Sequence, residues 1–358
     1  MSDKRKGGPT SSVVTTTALK RPRAATSVAV VNTSISSGPL IQSVERTSDL
    51  QAPIIQLSGH TGEIYASRFD DSGQIIASGS QDRTILLWNT YGANENFGII
   101  KGHKGAILDL AFSRDSKYVY SASTDATLGV FDVESGTRIR KHTGHEDVVN
   151  TIDRVRRGNE LLVSGSDDGT IGLWDPRVKL AIDYMQTDFP ILAVAFGELG
   201  SQIFSAGIDH QIKVWDVRQR ASVAYTLSGH SDSVTSLAVS PDAQFLVSQS
   251  MDNTVKTWDV RPFAAEPRLQ HSFEGARSND VEKNLLRASF NHDGSKIIAG
   301  SADRTVVIWN TQQPDKILYK LPGHTGSVND ASFSPYEHNV ILSGSSDRTL
   351  MLGELGTG

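Results

Sequence analysis

Serine, histidine and aspartate are the residues of nucleophilic acyl transfer, and this chain sets them together again and again. Gly-His pairs stand at Gly59-His60, Gly102-His103, Gly144-His145, Gly229-His230 and Gly323-His324. An Asp follows each of these histidines by 22 or 23 residues, at Asp82, Asp125, Asp168, Asp252 and Asp347. Serines precede each Asp, as Ser78 and Ser80 precede Asp82. A catalytic trio needs one hydroxyl, one imidazole and one carboxylate converging on one substrate. Here the trio recurs in five places, and an enzyme does not carry a ring of equivalent nucleophiles, so the repetition argues for a structural role. The same spacing disperses the histidines, five of the ten being one to a repeat, whereas a metal centre needs three or four ligands at one point. There is no Cys, no H-E-x-x-H, no P-loop and no G-x-G-x-x-G after a strand. The reading is of a non-enzyme with no metal and no cofactor.

The elements that position these residues are repeats. The stretch SGSQDRTILLWN (Ser78–Asn89) returns six times, as SASTDATLGVFD, SGSDDGTIGLWD, SAGIDHQIKVWD, SQSMDNTVKTWD, AGSADRTVVIWN and SGSSDRTLMLGE. Each copy has its Asp six residues before an aromatic position occupied by Trp88, Phe131, Trp174, Trp215, Trp258 and Trp309, with Gly353 in the seventh. Successive aromatic positions lie 43, 43, 41, 43, 51 and 44 residues apart. Each copy reads as a small, Ser-rich strand, a tight turn at the Asp, and a β-branched strand such as Thr84–Trp88. Another apolar strand, such as Ile64–Phe69, lies between the Gly-His and the copy.

Four strands per unit with a G-H…W-D signature resemble the WD40 β-propeller family. The resemblance implies an all-β fold: a seven-bladed WD40 propeller spanning residues 50–358. It also implies a buried network in each blade: His60, Ser78 or Ser80, Asp82 and Trp88 in the first. The matching positions elsewhere are His103 and Asp125; His145, Asp168 and Trp174; His230, Asp252 and Trp258; His324 and Asp347. A buried imidazole and carboxylate are tolerable only when paired. The chain ends soon after the seventh copy's third strand, so Pro53–Leu57 is expected to supply the missing outer strand and close the ring.

Blades four, six and seven depart from the pattern. Thr187-Asp188-Phe189 and Glu274-Gly275-Ala276 stand where Gly-His is usual in the fourth and sixth, and the seventh lacks Trp. The network is expected to be incomplete there, with packing holding the sheets. A five-residue extension also falls within 277–284.

Residues 1–49 are Ser-, Thr-, Val-, Pro- and Gly-rich and are read as a disordered basic tail. Its clusters, Lys4-Arg5-Lys6 and Lys20-Arg21-Pro22-Arg23, read as nuclear-import signals. The 358-residue chain carries a net charge of −5, yet residues 1–25 hold six basic residues against one acidic, leaving about −10 for the remainder. An acidic body argues against independent nucleic-acid binding, and no apolar run reaches membrane-spanning length.

Partners are expected on the top face, where the Gly-His loops and Asp turns emerge. The position after the first apolar residue of each innermost strand points there, giving Tyr65, Leu108, Asn150, Leu192 and Asn329; Met251 and Ile208 precede an Asp turn. The blade-six extension adds Glu282, Lys283, Leu285, Leu286 and Arg287. Together they form a partly apolar rim suited to protein contact. Trp-Asp-x-Arg occurs at Trp174–Arg177, Trp215–Arg218 and Trp258–Arg261, resembling the motif of cullin-type ubiquitin-ligase substrate receptors; the alternative is an Arg that completes a turn.

The basic clusters of the tail, MDNTVKTWDVRPFA (Met251–Ala264), EKNLLR (Glu282–Arg287), ILYKLPGH (Ile317–His324) and SSDRTLMLGEL (Ser345–Leu355) also resemble the WD-repeat subunits of U5 small nuclear ribonucleoproteins. This resemblance implies a nuclear, non-catalytic scaffold in pre-mRNA splicing. Its implied partners are the large U5 scaffold protein, with the U5 GTPase and helicase nearby, and RNA contact is indirect.

Overall fold

A computed structural model describes residues 27–30, 48–198, 200–219, 222–279 and 284–356. Each copy builds an antiparallel four-stranded sheet. In blade one the strands Ile64–Phe69, Ile75–Ser80, Thr84–Asn89 and Asn96–Lys101 follow one another from the axis outward. Small residues suit the second strand because neighbouring blades close over it. A Cβ on Gly79 would come within 2.7 Å of Ile107 in blade two. The turn residue after the Asp is left-handed, with φ of 68° at Arg83, 65° at Asn253 and 77° at Gly169.

Five more blades repeat the scheme, their innermost strands being Ile107–Phe112, Val149–Arg154, Ile191–Phe196, Val234–Val239 and Ala288–Phe290. In the seventh, Val328–Phe333, Val340–Ser345 and Thr349–Glu354 are completed by Ile54–Ser58 from the other end of the chain. The closing strand runs antiparallel to Thr349–Glu354, pairing Ile55 with Leu352 and Leu57 with Leu350. Ser27–Val30 adds a fifth strand outside it, Ser27 opposite Ser58; this strand was not expected from the tail's composition. The innermost strand of blade seven packs on that of blade one, so the ring is closed.

The core is divided the same way. Seven apolar clusters fill the seven spaces between neighbouring blades. The cluster at the closure gathers Leu50, Ala52, Ile55 and Leu57 with Ile64, Trp88, Val340 and Leu352.

Candidate partner-binding face

The His–Ser–Asp trios are closed to substrate. In blade one the His60 imidazole donates from Nδ1 to Asp82 (3.0 Å) and accepts at Nε2 from Ser78 Oγ (2.8 Å). Ser78 Oγ in turn accepts the Trp88 indole N–H (3.0 Å). With a neutral imidazole every donor in this chain meets an acceptor. Ser78 is the member of the network, while Ser80 accepts the Asp82 amide at the turn. Blades three and five repeat the arrangement with His145, Ser164 and Trp174, and with His230, Ser248 and Trp258. Blades two and seven keep the His–Ser and His–Asp bonds, through His103 with Ser121 and Asp125 and His324 with Ser343 and Asp347, without an indole. Ser78, Ser121, Ser164 and Ser248 are fully buried, so none can attack a substrate.

Burial works to raise the carboxyl pKa of Asp82, Asp125, Asp252 and Asp347. Hydrogen bonds from the His ring, a Thr hydroxyl and a backbone N–H outweigh it and hold all four well below the usual carboxylate range. Burial lowers the His145 pKa against the pull of Asp168.

The two blades without Gly-His use other groups. In blade four Asp209 pairs with Lys213 at 2.6 Å, and in blade six Asp303 pairs with Lys320 at 2.7 Å. The Trp215 indole still reaches Ser205 (2.8 Å), whereas Ala299 offers no hydroxyl to Trp309, whose N–H turns to the Glu274 carbonyl (3.0 Å). Lysine thus replaces histidine as the partner of the turn Asp, in addition to packing.

The top-face residues separate into two groups. Leu285 lies where two adjoining depressions meet. Tyr65, Leu108, Asn284 and Arg287 line one; Leu192, Ile208 and Met251 line the other, with Asp167 and Asp232 at its rim. Burial and the nearby Glu63 push the Tyr65 phenol up to about 12, so it stays protonated as a donor. Asn150, Leu286 and Asn329 are buried instead, and Arg287, though it borders the first depression, is buried as well. The Asn150 amide reaches the Ile191 carbonyl of blade four (2.9 Å) and the Asn329 amide the Ile64 carbonyl of blade one (2.7 Å), fastening neighbouring blades. The Arg287 amide donates to the Asn329 carbonyl (3.0 Å): by residue 286 the chain has left the surface loop and entered the innermost layer. Glu282, Lys283 and the basic residues read as import signals, Lys4, Arg5, Lys6, Lys20, Arg21 and Arg23, lie outside the described residues.

Arg287 reaches across the channel to a group that sequence reasoning missed. Its guanidinium donates to Asp109 (2.5 Å) and to the Leu108 carbonyl (2.9 Å) on blade two. Arg68 of blade one spans Asp330 (2.8 Å) and Asp109 (3.6 Å). Burial opposes the charge on Arg68, and the three carboxylates Asp330, Asp109 and Asp153 outweigh it. Each aspartate also accepts a backbone N–H from the next blade: Asp109 from Ile152 (3.0 Å), Asp153 from Phe196 (2.8 Å) and Asp330 from Ser67 (2.8 Å). The available signal was a charge within an otherwise apolar strand, as in ILDLAF.

Two of the three Trp-Asp-x-Arg arginines complete their own turns through the guanidinium, and Arg218 donates its backbone N–H to Asp216 (2.8 Å). Arg177 donates to Asp175 at 2.9 and 2.8 Å, and Arg261 grips Asp259 likewise.

Seven segments match the family model described as "WD domain, G-beta repeat": 51–89, 94–132, 136–175, 184–216, 221–259, 268–310 and 315–352. The chain is a WD40-repeat protein. It is 45% identical over 321 residues to pre-mRNA-splicing factor cwf17 of Schizosaccharomyces pombe, covering 90% of this chain and 92% of that one. It is 48% identical over 319 residues to the U5 small nuclear ribonucleoprotein 40 kDa protein of Homo sapiens (89% and 88%), and 44% over 324 residues to that of Dictyostelium discoideum (90% of each). These relatives give the ubiquitin-ligase alternative no support.

Proposed function

We propose that this WD40-repeat protein is a non-catalytic scaffold of the U5 small nuclear ribonucleoprotein, working in the nucleus in pre-mRNA splicing. The carrying observation is likeness to splicing proteins that covers about nine tenths of both chains. The buried serines of the trios support a role without catalysis. Protein partners, the large U5 scaffold protein first, dock on the top face around Leu285, where Tyr65, Leu108, Leu192 and Met251 border it. An apolar centre with polar edges is the usual anatomy of a protein-protein contact. RNA contact is indirect.

The test is affinity purification of the tagged full-length protein from nuclear extract. U5 RNA and splicing proteins should co-purify in stoichiometric amounts. Leu285→Asp, at a half-exposed position, should abolish that capture while leaving the melting temperature unchanged. Recovery of a cullin adaptor in place of U5 components would refute the assignment, and undiminished capture by Leu285→Asp would refute the top face as the docking surface.

A further inference from the structure

The outer strands of blades two and three present a surface that neither the ring nor the top face uses. Ile139 on Arg138–Thr143 is 53% exposed, and Val178, Leu180, Ile182 and Tyr184 on and before Ala181–Gln186 are 52%, 66%, 46% and 39% exposed. The described residues include eleven exposed large apolar side chains, and these five crowd one side. The two strands meet there: the His142 Nδ1–H of blade two donates to the Lys179 carbonyl of blade three (3.2 Å), and the His142 ring lies 5.4 Å from that of Trp174. Tyr184 packs edge-on against Trp174 at 5.7 Å and is held in place.

The same side carries cations on an acidic protein. Arg140, opposite Val130 on the face toward blade three, and Lys179 stand beside the apolar groups, whereas Arg138 and Lys141, opposite Phe131 and Gly129, belong to the face toward blade one. Arg177 is neutralised by Asp175. Arg140 Nε is a buried donor, and His142 Nε2 a buried acceptor, without a partner among the described residues. A sheet edge protected only against aggregation would show charges alone; here the charges frame aliphatic groups.

We infer that this flank is a second protein-docking surface, and that its occupant is an acidic segment bearing aliphatic side chains. The aliphatic residues would cover the line from Val178 to Ile182, and its carboxylates would meet Arg140 and Lys179. Single-stranded RNA would also meet the charges, but it gains its base contacts from flat aromatic platforms, and this surface offers four aliphatic groups to one tyrosine.

The inference extends beyond the top-face reading and is tested apart from it. A photo-cross-linking amino acid is placed at Leu180 of the full-length protein in the assembled particle, with Arg348 at the blade-seven turn as the comparison site. The expected adduct at position 180 is a protein segment with an excess of Asp and Glu among apolar residues. Lys179→Glu should reduce that adduct at least tenfold, with melting temperature and Leu285-dependent capture retained. An adduct with RNA, an adduct with a basic segment, or none above background would overturn the inference. Loss of Leu285-dependent capture with the position-180 adduct retained would bear on the top face alone.

Discussion

Ser164→Ala and Ser205→Ala are the same chemical change at the same repeat position in adjacent blades, and the structure requires them to differ. In blade three the Ser164 hydroxyl donates to His145 Nε2 at 2.7 Å and accepts from Trp174 Nε1 at 2.8 Å. Its removal orphans two buried polar groups. At about 1–3 kcal/mol for each buried group left unpaired, Ser164→Ala should cost roughly 2–6 kcal/mol. In blade four there is no histidine, and Ser205 has the Trp215 indole as its side-chain partner at 2.8 Å. One orphaned N–H puts Ser205→Ala at about 1–3 kcal/mol. Neither change overpacks the site, because alanine is the smaller residue. Urea denaturation of the purified variants measures the difference. The midpoint should fall further for Ser164→Ala, with an unchanged dependence on denaturant showing that the same surface is exposed on unfolding. Equal losses, or a larger loss in blade four, would mean that packing around the indole sets the cost and that the imidazole contributes nothing through the hydroxyl.

Acid should act through the same networks. Asp82, Asp125, Asp252 and Asp347 are held well below the usual carboxylate range, so the unfolded chain binds protons that the folded one refuses. Their contribution is present above the unfolded carboxylate pKa near about 4 and is lost as pH falls from there toward the folded values. His145, held below its ordinary value, begins a smaller loss in the same direction as the unfolded chain protonates below about pH 6.5. A melting-temperature profile from pH 8 to pH 3 should therefore decline gently below neutrality and steeply below about pH 5, and Asp347→Asn should flatten the steep limb. Deleting residues 1–58 removes Leu50, Ile55 and Leu57 from the closure core; at about 1.5–3 kcal/mol per buried side chain it should cost roughly 5–9 kcal/mol in a denaturation curve, even before the lost strand pairing. Arg287→Met leaves Asp109 buried without its nearest cation and should cost about 3–5 kcal/mol. A double-mutant cycle with Asp109→Asn should return a coupling of at least about 1.5 kcal/mol, and a coupling near zero would make the ion pair incidental.

The fold was legible because the copies keep register: an Asp six residues before Trp88, Trp174, Trp215, Trp258 and Trp309 fixes where each turn must fall. Closure by residues 54–58 could be read from the missing fourth strand of the last copy. The choice of Ser78 over Ser80 could not, because both belong to one small strand and only the pairing register selects the one facing the ring. Lys213 and Lys320 were hidden for a different reason. They reach their aspartates from the third and fourth strands, so no Gly-His spacing announces them. The channel group escaped because Arg68, Asp109, Arg287 and Asp330 are distant in sequence and meet only when all seven inner strands converge. Leu286 and Arg287 were assigned to the surface because the extension conceals where the loop ends, and the structure starts the inner layer one residue earlier than an exposed leucine pair requires.

Joining residues 54–58 to residues 349–354 has a consequence for biosynthesis. Six sheets can form in turn as the chain emerges, but the seventh waits for two segments separated by almost the whole propeller. Until the late strands clear the ribosome, Ile54–Ser58 has no neighbour on the side destined for Thr349–Glu354, and the apolar flank of blade one facing blade seven lies bare. The nascent protein is thus an unclosed arc until residues 349–354 emerge, and its dependence on folding helpers should last until then.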